Sequence, residues 1–193
     1  MSAAAAPHLV RADDVAPRPW RNGLGRTREL WAGPDAAHWR VRISVADIEA
    51  DGPFSAYAGV QRWFAVLKGA GVELCIDGTA HRLTRIDPPL AFAGDATTTC
   101  RLLDGPTRDL NLMLRDADGA IGVAEDGRPW QPLAAQCGLF SAVSGRCRIG
   151  GREIELPAYA LLWFDDAPDT LAFVAGERPA GFIGWWLAAT PTP

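Results

Sequence analysis

The chain has 193 residues, of which 48% are hydrophobic and 22% charged, so it is long and apolar enough to form a substantial globular core. Its 19 basic and 23 acidic residues give a formal net charge of -4, which provides no broad cationic surface for nucleic acid or an anionic membrane. We therefore expect neither as a partner.

Residues 1–18 are expected to form an N-terminal segment. Four alanines precede Pro7 and charged residues follow soon after, which is not the apolar core of a secretory signal. No apolar run approaches the roughly eighteen residues that a membrane span needs. The four cysteines are scattered and form no C-x-x-C pair. These features predict a cytoplasmic protein with reduced thiols.

The stretch PWRNGLGRTREL, residues 19–30, combines a glycine turn with a strand-like alternation. It lacks the G-x-x-x-x-G-K-[ST] spacing of a phosphate loop, and it contains no nucleophile paired with a base. After the turn, two arginines alternate with Thr27 and Glu29, which predicts a strand carrying arginines on one face. Thr27 and Glu29 then either line a pocket or lie on the solvated face of an edge strand.

Short apolar runs bounded by glycine, proline and aspartate recur along the rest of the chain, without a convincing long amphipathic helix. In residues 38–48, apolar side chains alternate with Arg40, Arg42 and Ser44, which is the period-two pattern of a half-buried strand. Turn signals separate such strands by roughly eight to twelve residues, as in a sandwich or barrel. The fold is therefore predicted to be all-β.

The chain also contains an internal repeat. Residues 67–114 and 143–187 run through the same order of glycine turns, strands, a proline before an apolar run, and an acidic turn. Matching turn order predicts two jelly-roll halves packed as one compact unit. The expected boundaries are 19–115 for the first half, 116–132 for a connector and 133–190 for the second half.

Duplicated jelly rolls invite comparison with the cupins, whose barrels usually hold a metal ion on histidines and a glutamate. Counting back from the turn glycine Gly69 places Arg62 where the glutamate would lie, and the upstream histidine positions, among residues 55–58, hold no histidine. The remaining histidine position falls on Thr97. We therefore expect no metal of the usual cupin kind and no other cofactor.

The small number of histidines also limits the catalytic hypotheses. The chain has three histidines, and there is no G-x-S-x-G or comparable nucleophile signature. His38 and His81 lie beside a strand start and a turn, where a surface position is expected. No catalytic residue is identified, and a binding or regulatory protein is favoured over an enzyme.

Three stretches agree in order and spacing with one protein family: PWRNGLGRTREL, WRVRISVADIEADGPFSAYAGVQRWFAVLKGAG and FAGDATTTCRLLDGPTRDLNLML. They resemble the HutD/Ves family, cupin-like proteins associated in bacteria with histidine utilisation. The resemblance implies a single-chain bicupin of the RmlC-like type, without metal, that binds a small carboxylate such as formylglutamate. The family's loop usually reads N-G-G-G, whereas Leu24 replaces the middle glycine here. A positive φ at that position would disfavour leucine.

Arg62 is the candidate centre of a carboxylate pocket. A buried guanidinium there could replace the metal as the positive group and bind a carboxylate through two parallel hydrogen bonds. The alternative is that Arg62 pairs with an internal acid such as Glu29 or Asp109. Asp109 and Asn111 share a strand face that points either to water or into a polar barrel, and the resemblance favours the barrel. The candidate ligand-binding residues are Trp20, Asn22, Gly23, Gly25, Thr27, Glu29, Arg62, Asp109 and Asn111.

Three functions remain open. The first is metal-free binding of a small anionic metabolite linked to histidine catabolism, with Trp20 either covering the site or only anchoring the chain. The second is a cofactor-independent isomerase or hydrolase of the cupin type, with Glu29 as its base. The third is a structural or regulatory protein with a vestigial pocket, because exposed strand edges and surplus tryptophans are compatible with a homodimer.

Overall fold

The computed structural model describes residues 6–176 and 181–192. Within these ranges the regular elements are β-strands and one 3₁₀ turn, Ala12–Asp14, which confirms the prediction of an all-β fold. No helix in the described part is long and apolar enough to cross a membrane.

The strands are short and evenly distributed. In chain order they are β1 (His8–Arg11), β2 (Arg18–Pro19), β3 (Gly25–Gly33), β4 (Val41–Ile48), β5 (Gly52–Pro53), β6 (Val60–Lys68), β7 (Val72–Ile76), β8 (Thr79–Leu83), β9 (Leu90–Ala93), β10 (Thr98–Leu102), β11 (Thr107–Arg115), β12 (Ala117–Val123), β13 (Pro129–Trp130), β14 (Gln136–Ser141), β15 (Gly145–Ile149), β16 (Arg152–Leu156), β17 (Ala160–Phe164), β18 (Leu171–Ala175) and β19 (Gly184–Pro191).

The chain divides into two compact units. The first unit is Ala16–Ala117, and the second unit is Met1–Val15 together with Asp118–Pro193. In the first unit, a six-stranded sheet has the order β2-β3-β4-β11-β6-β9 and a four-stranded sheet has the order β5-β10-β7-β8. The strand pairs in both sheets are antiparallel.

The core of the first unit lies between its two sheets. Phe64 and Val66 from β6 pack with Leu74 from β7 and Cys100 from β10 in one buried cluster. These residues alternate along each strand with residues that point away from the core. Burying their apolar surface stabilises the folded state by about 25 cal/mol per Å².

The second unit repeats this arrangement. Its sheets have the orders β1-β17-β14-β19-β12 and β13-β18-β15-β16, and its core cluster also combines residues from both. The order β13-β18-β15-β16 corresponds strand for strand to β5-β10-β7-β8. The internal repeat read from the turn order is therefore accompanied by a repeated strand order.

Two segments carry strands where the sequence suggested a terminal segment or a connector. Residues 8–11 form β1 and pair with β17. Residues 116–132 contain β12 and β13, each at the edge of its sheet. These strands bury few residues, since β1 alternates half-buried and exposed residues and β12 buries only Ile121, so their sequences lack a clear apolar alternation.

The strand expected over residues 38–48 begins at Val41. The reason is a local turn before it, in which Asp35 Oδ1 accepts hydrogen bonds from the backbone N–H groups of Ala37 and His38. A side-chain acceptor of this kind offers the backbone an alternative to the strand ladder.

Candidate functional site

A cavity of about 490 Å³ lies in the first unit, and β3, β4, β6 and β11 contribute side chains to its walls. Five of the nine predicted site residues line it: Trp20, Asn22, Thr27, Arg62 and Asn111. Such a volume is within the usual range for small-molecule sites. Most of the residues selected from the sequence therefore line one cavity of the described structure.

Strand alternation explains why polar side chains reach this cavity. On β11, Asn111 and Met113 line it, whereas Leu110, Leu112 and Leu114 are on the opposite face and are buried. On β4, Arg42 and Ser44 take the cavity side in the same way. Both faces of these strands are therefore covered, and their polar face points into a cavity instead of bulk water.

Arg62 on β6 is the most deeply buried charged group of the cavity, with 7% of its surface exposed. Its Nη2 donates a 3.0 Å hydrogen bond to Asn111 Oδ1. Its guanidinium carbon lies 5.0 Å from the ring centroids of both Phe54 and Phe92, and 5.8 Å from that of Tyr57. Aromatic faces stabilise a cation but do not neutralise its charge.

Arg62 has no carboxylate partner among the described residues. Glu29 Oε2 accepts a 2.7 Å hydrogen bond from Arg42 Nε, and Asp109 Oδ2 accepts one of 2.8 Å from Thr107 Oγ1. The alternative in which Glu29 or Asp109 neutralises Arg62 is therefore wrong. Both acids are hydrogen-bonded to residues other than Arg62. Arg62 Nε is buried without a hydrogen-bond acceptor.

The electrostatic environment of Arg62 is unfavourable for its charge. Burial lowers the pKa of Arg62 to about 10; Tyr57 acts in the opposite direction, and the neighbouring Arg42 charge makes the smallest contribution, which lowers the pKa further. The guanidinium is still cationic at neutral pH. A buried cation without an anion is costly, and an incoming carboxylate would relieve that cost.

Trp20 and Thr27 form one wall of the cavity together. Trp20 Nε1 donates a 2.7 Å hydrogen bond to Thr27 Oγ1, and the indole packs edge-on against Phe54 with a centroid distance of 6.2 Å. The indole is thus held on both its polar and its apolar side. Thr27 lies on the cavity side of β3, not on a solvated face.

The glycine turn before β3 has a structural role. Gly23 has a φ of 72°, whereas Leu24 is outside the left-handed region, so leucine at this position carries no such strain. Asn22 Oδ1 accepts a hydrogen bond from the Leu24 N–H at 3.1 Å. Gly25 is buried, and a Cβ there would lie 2.5 Å from the carbonyl oxygen of Asp47.

Four predicted site residues are outside the cavity lining: Gly23, Gly25, Glu29 and Asp109. Glu29 precedes a β-bulge in β3, where the pairing with β4 shifts between Glu29 and Trp31, and its side chain is bonded to Arg42. Asp109 is on the same strand face as Asn111 but is completely buried. The alternation along β11 predicted that Asp109 and Asn111 share a face. It did not predict that Asp109 lies outside the cavity lining.

Sequence reasoning missed several lining residues, above all Arg42, Ser44, Phe54 and Met113. The signal for Arg42 and Ser44 was present, because both belong to the polar face of the strand expected over residues 38–48. That face was interpreted as solvated. Phe54 follows the short strand β5 and carried no recognisable pattern.

The described residues contain no group of three or more histidine, cysteine, aspartate or glutamate side chains that could hold a metal ion. The described lining of the cavity includes four arginines, Arg18, Arg21, Arg42 and Arg62, and no acidic residue. The charged groups of the described lining are therefore all cationic.

Comparison with known proteins gives a family. The model described as HutD matches residues 12–178. An uncharacterised 21.2 kDa protein from the hutC 3′ region of Pseudomonas putida is 42% identical over 109 residues, which cover 54% of this chain and 56% of that protein. Protein Ves of Citrobacter koseri is 34% identical over 179 residues, which cover 89% and 91%.

Solved structures of similar proteins are consistent with this family match. HutD from Pseudomonas fluorescens SBW25, in a formate condition, is 27% identical, with a TM-score of 0.83 over 97% of this chain and 100% of that chain. A cupin 2 conserved barrel domain protein from Leptotrichia buccalis is 9% identical, with a TM-score of 0.58 over 98% and 97%. The second likeness concerns the fold alone, which is cupin-like.

Proposed function

Because the chain belongs to the HutD family, as the resemblance in its sequence indicated, we propose that it binds a small carboxylate metabolite in the cavity of its first unit. Arg62 is the main anion partner in this proposal, and Asn111 orients it. Asn22 and Thr27 contribute polar groups to the wall, and Trp20 covers its apolar part.

One observation carries the proposal. Arg62 is 7% exposed, lines a cavity and has no carboxylate partner among the described residues. Buried charges in folded proteins are normally paired, and an unpaired one at a cavity wall is the arrangement that a complementary ligand stabilises. An arginine fork matches the two oxygens of a carboxylate.

The link to histidine utilisation is part of the proposal. It is supported by the position of the Pseudomonas putida relative in a hutC 3′ region and by membership of the HutD family. A formylglutamate-like compound is the ligand we propose to test first. Four free cysteines are consistent with action in a reducing compartment, as in the cytoplasm.

The finer architecture is proposed to be a bicupin without metal. The matching strand orders of the two units support a duplicated origin. The first unit would hold the ligand, with arginine in place of a metal ion as its positive centre. In the second unit, the cluster between the sheets is apolar and includes Trp186, which stacks on Trp130 at 4.8 Å.

The enzymatic alternative has no observation in its favour. It needs Glu29 as a general base, and Glu29 is bonded to Arg42 and is not part of the cavity lining. A base has to reach the proton that it removes. The homodimer with a vestigial pocket stays a prediction.

The first test is thermal unfolding with formylglutamate, glutamate, formate, urocanate and imidazolone propionate. At about 100-fold excess over the Kd, a ligand adds about 2.7 kcal/mol, which corresponds to a rise in Tm of roughly 5–10 °C for a chain of this size. At least one carboxylate is expected to give such a rise.

The paired variant is Arg62→Met, which keeps the apolar stem and removes the charge. We expect its Tm without ligand to be no lower than that of the wild type, because an unpaired buried charge is gone, and its response to carboxylates to be lost. Arg101→Met, on an exposed face of β10, is the matched control and should respond like the wild type. An undiminished response in Arg62→Met would refute the proposed site.

A further inference from the structure

The two units differ in what lies beside one strand, β12. The run β4-β11-β6-β9 in the six-stranded sheet corresponds to β12-β19-β14-β17 in the five-stranded sheet, in chain order as well as in sheet order. In the first unit, β3 pairs with the other side of β4. Since β12 is the last strand of its sheet, the equivalent position beside it holds no described strand.

The free side of β12 presents backbone hydrogen-bonding groups. Just after the strand, the N–H of Ala124 donates to the carbonyl oxygen of Gly184 at the start of β19. Backbone groups point alternately to the two sides of a strand, so those of Gly119, Ile121 and Val123 point away from β19. No turn or loop of the described chain pairs with them. An added strand would find three residues that each donate and accept a backbone hydrogen bond.

The side chains of β12 leave this edge open. Asp118, Ala120 and Gly122 are exposed, and a Cβ added at Gly122 would have no other atom within 4 Å. Val123, the last residue of the strand, has 55% of its surface exposed. An extended segment can therefore approach β12 without displacing a bulky side chain.

β12 also lacks the features that keep the other sheet edges of the described structure unpaired. The edge strands β2, β5 and β13 have two residues each, one of them a proline, and β1 and β9 have four residues. β8 and β16 have five residues and include an arginine. β12 has seven residues, with no proline and no basic side chain. An unprotected edge of this length is a template for pairing with another chain.

The charge at this edge is negative. Asp118 is the only charged residue of β12, and it has no ion-pair partner among the described residues. Glu125 and Asp126 follow the strand and are exposed. Glu125 pairs with Arg128, and Asp126 Oδ1 accepts a hydrogen bond from the N–H of Ala175. The formal net charge of -4 also opposes the approach of a second copy of this chain.

The first unit shows which strand chemistry fits such an edge. Like β12, β4 carries one aspartate, Asp47, and is followed by acidic residues, among them Glu49. The strand beside it supplies alternate arginines to these carboxylates, because Arg28 pairs with Asp47 and Arg26 pairs with Glu49. A basic strand therefore complements the free edge of β12 in backbone hydrogen bonding and in charge.

We propose that the free edge of β12 binds an extended basic segment of a partner protein, which extends the sheet in the place that β3 has beside β4. Backbone hydrogen bonds supply the affinity, and alternate arginine or lysine side chains near Asp118 and Asp126 supply the preference. This inference is independent of the proposed function, since it uses no residue of the cavity.

The probe is a fluorescein-labelled peptide with the sequence of β3, GRTRELWAG, and its binding to the full chain is measured by fluorescence anisotropy. We expect saturable binding with a Kd on the order of 10–100 μM. The same peptide with glutamate in place of Arg26 and Arg28 should bind at least about tenfold more weakly, because its charge has the same sign as the edge.

Val123→Pro is the decisive variant. Proline removes an N–H that points to the free side and leaves the side that faces β19 unchanged, so peptide binding should fall at least about tenfold. Val123→Ala is its control and should bind within about twofold of the wild type. If Val123→Pro is poorly folded, Asp118→Arg should weaken binding at least about fivefold, whereas Asp95→Arg, at an exposed position in the first unit, should not.

Three outcomes overturn the proposal. The first is the absence of saturable binding of the GRTRELWAG peptide, or equal binding by the wild type, Val123→Pro and Asp118→Arg. The second is equal binding of the glutamate peptide, which removes the basic partner. The third is a dimer in light scattering that Val123→Pro converts to a monomer, because the edge would then be occupied by a second copy of this chain.

Discussion

Arg62 illustrates how a single buried residue can mark a site. Its guanidinium contacts aromatic rings and one amide oxygen, and these neighbours accommodate a cation without neutralising it. A structural role alone would be served better by an apolar side chain of similar size. The retained charge fits the anion binding that we propose for this cavity.

Asp109 is a second buried charge-bearing group, with a different chemistry. It is completely buried, Thr107 donates to its Oδ2, and its Oδ1 has no partner. Burial, with a contribution from the Asp47 charge, raises the pKa of Asp109 well above its usual value, against the effect of the Thr107 hydrogen bond. This raised pKa favours the protonated, neutral form of Asp109 in the interior, and Asp109 is not a partner of Arg62.

Asp109→Asn should change the pH dependence of stability. Since the folded state holds the Asp109 proton at pH values where the unfolded chain has lost it, this one group lowers the free energy of unfolding by about 1.36 kcal/mol per pH unit between about pH 4 and its folded pKa. The asparagine cannot ionise, so its stability should fall less over this range.

Urea unfolding from pH 3 to pH 8 measures this difference. The two curves should come together below pH 4 and diverge above it, with the variant more stable at pH 8. Asp95→Asn, at an exposed position, should run parallel to the wild type. A variant that is less stable than the wild type at pH 8 would contradict a protonated Asp109.

At the scale of elements, the turn between β2 and β3 supports the cavity wall. Trp20 before the turn and Thr27 after it are joined by a hydrogen bond, so the hairpin brings both to the cavity. The carbonyl oxygen of Leu24 accepts hydrogen bonds from the backbone N–H groups of Glu49 and Ala50, which attaches the turn to the chain after β4.

Leu24 is matched by a glycine on β5. A Cβ on Gly52 would lie 2.1 Å from Leu24 Cδ1, so the leucine side chain occupies the space next to Gly52. We expect Gly52→Ala to lower the unfolding free energy by about 1 kcal/mol, because the leucine has to move. In a Leu24→Gly background this loss should disappear.

A double-mutant cycle by urea unfolding tests this coupling, with an expected interaction energy of about 1 kcal/mol. Gly122→Ala, at a glycine with open space around its Cβ position, is the control and should show no coupling with Leu24. Additive effects of Leu24→Gly and Gly52→Ala would mean that the two residues do not share space.

At the scale of the molecule, the two units share a strand order, and the core cluster of each unit is apolar. The first unit also has a cavity whose described lining includes four arginines. A strand order therefore does not by itself specify a site, because function depends on the side chains that the strands present.

The reactivity of the cysteine thiols tests how well the cores of both units exclude solvent. Burial, the first cause in each case, raises the pKa values of Cys100, Cys137 and Cys147 to about 12 each, whereas Cys75 is half-buried. At pH 8 the three buried thiols are almost entirely protonated, and the thiolate is the reactive form. One thiol per native chain should react rapidly with a chromogenic disulfide, and all four after unfolding in guanidinium chloride.

Cys75→Ser should remove the rapid phase and leave the total after unfolding at three thiols. A second rapid equivalent in the native wild type would mean that one of the two interiors opens to the reagent, and would contradict the packing described for its core.

Much of the fold was accessible from sequence, because its signals are local. The period-two alternation in β4 and β11 and the glycine turns between strands need only neighbouring residues to be interpreted. The repeated turn order in residues 67–114 and 143–187 is likewise visible along the chain. The strands at sheet edges, β1 and β12, were missed, since they bury few residues and show no clear apolar alternation.

The sequence by itself determined the all-β class, the HutD/Ves family and the choice of Arg62 as a candidate site residue. Each of these depends on residue order and spacing. Only the tertiary structure decided that Glu29 pairs with Arg42, that Asp109 pairs with Thr107, and that Arg62 has Asn111 as its hydrogen-bond partner. Arg62 and Asn111 are 49 residues apart in the chain, and they meet because β6 and β11 pair in one particular register. Register follows from burying a whole sheet face at once, so no short stretch of sequence contains it.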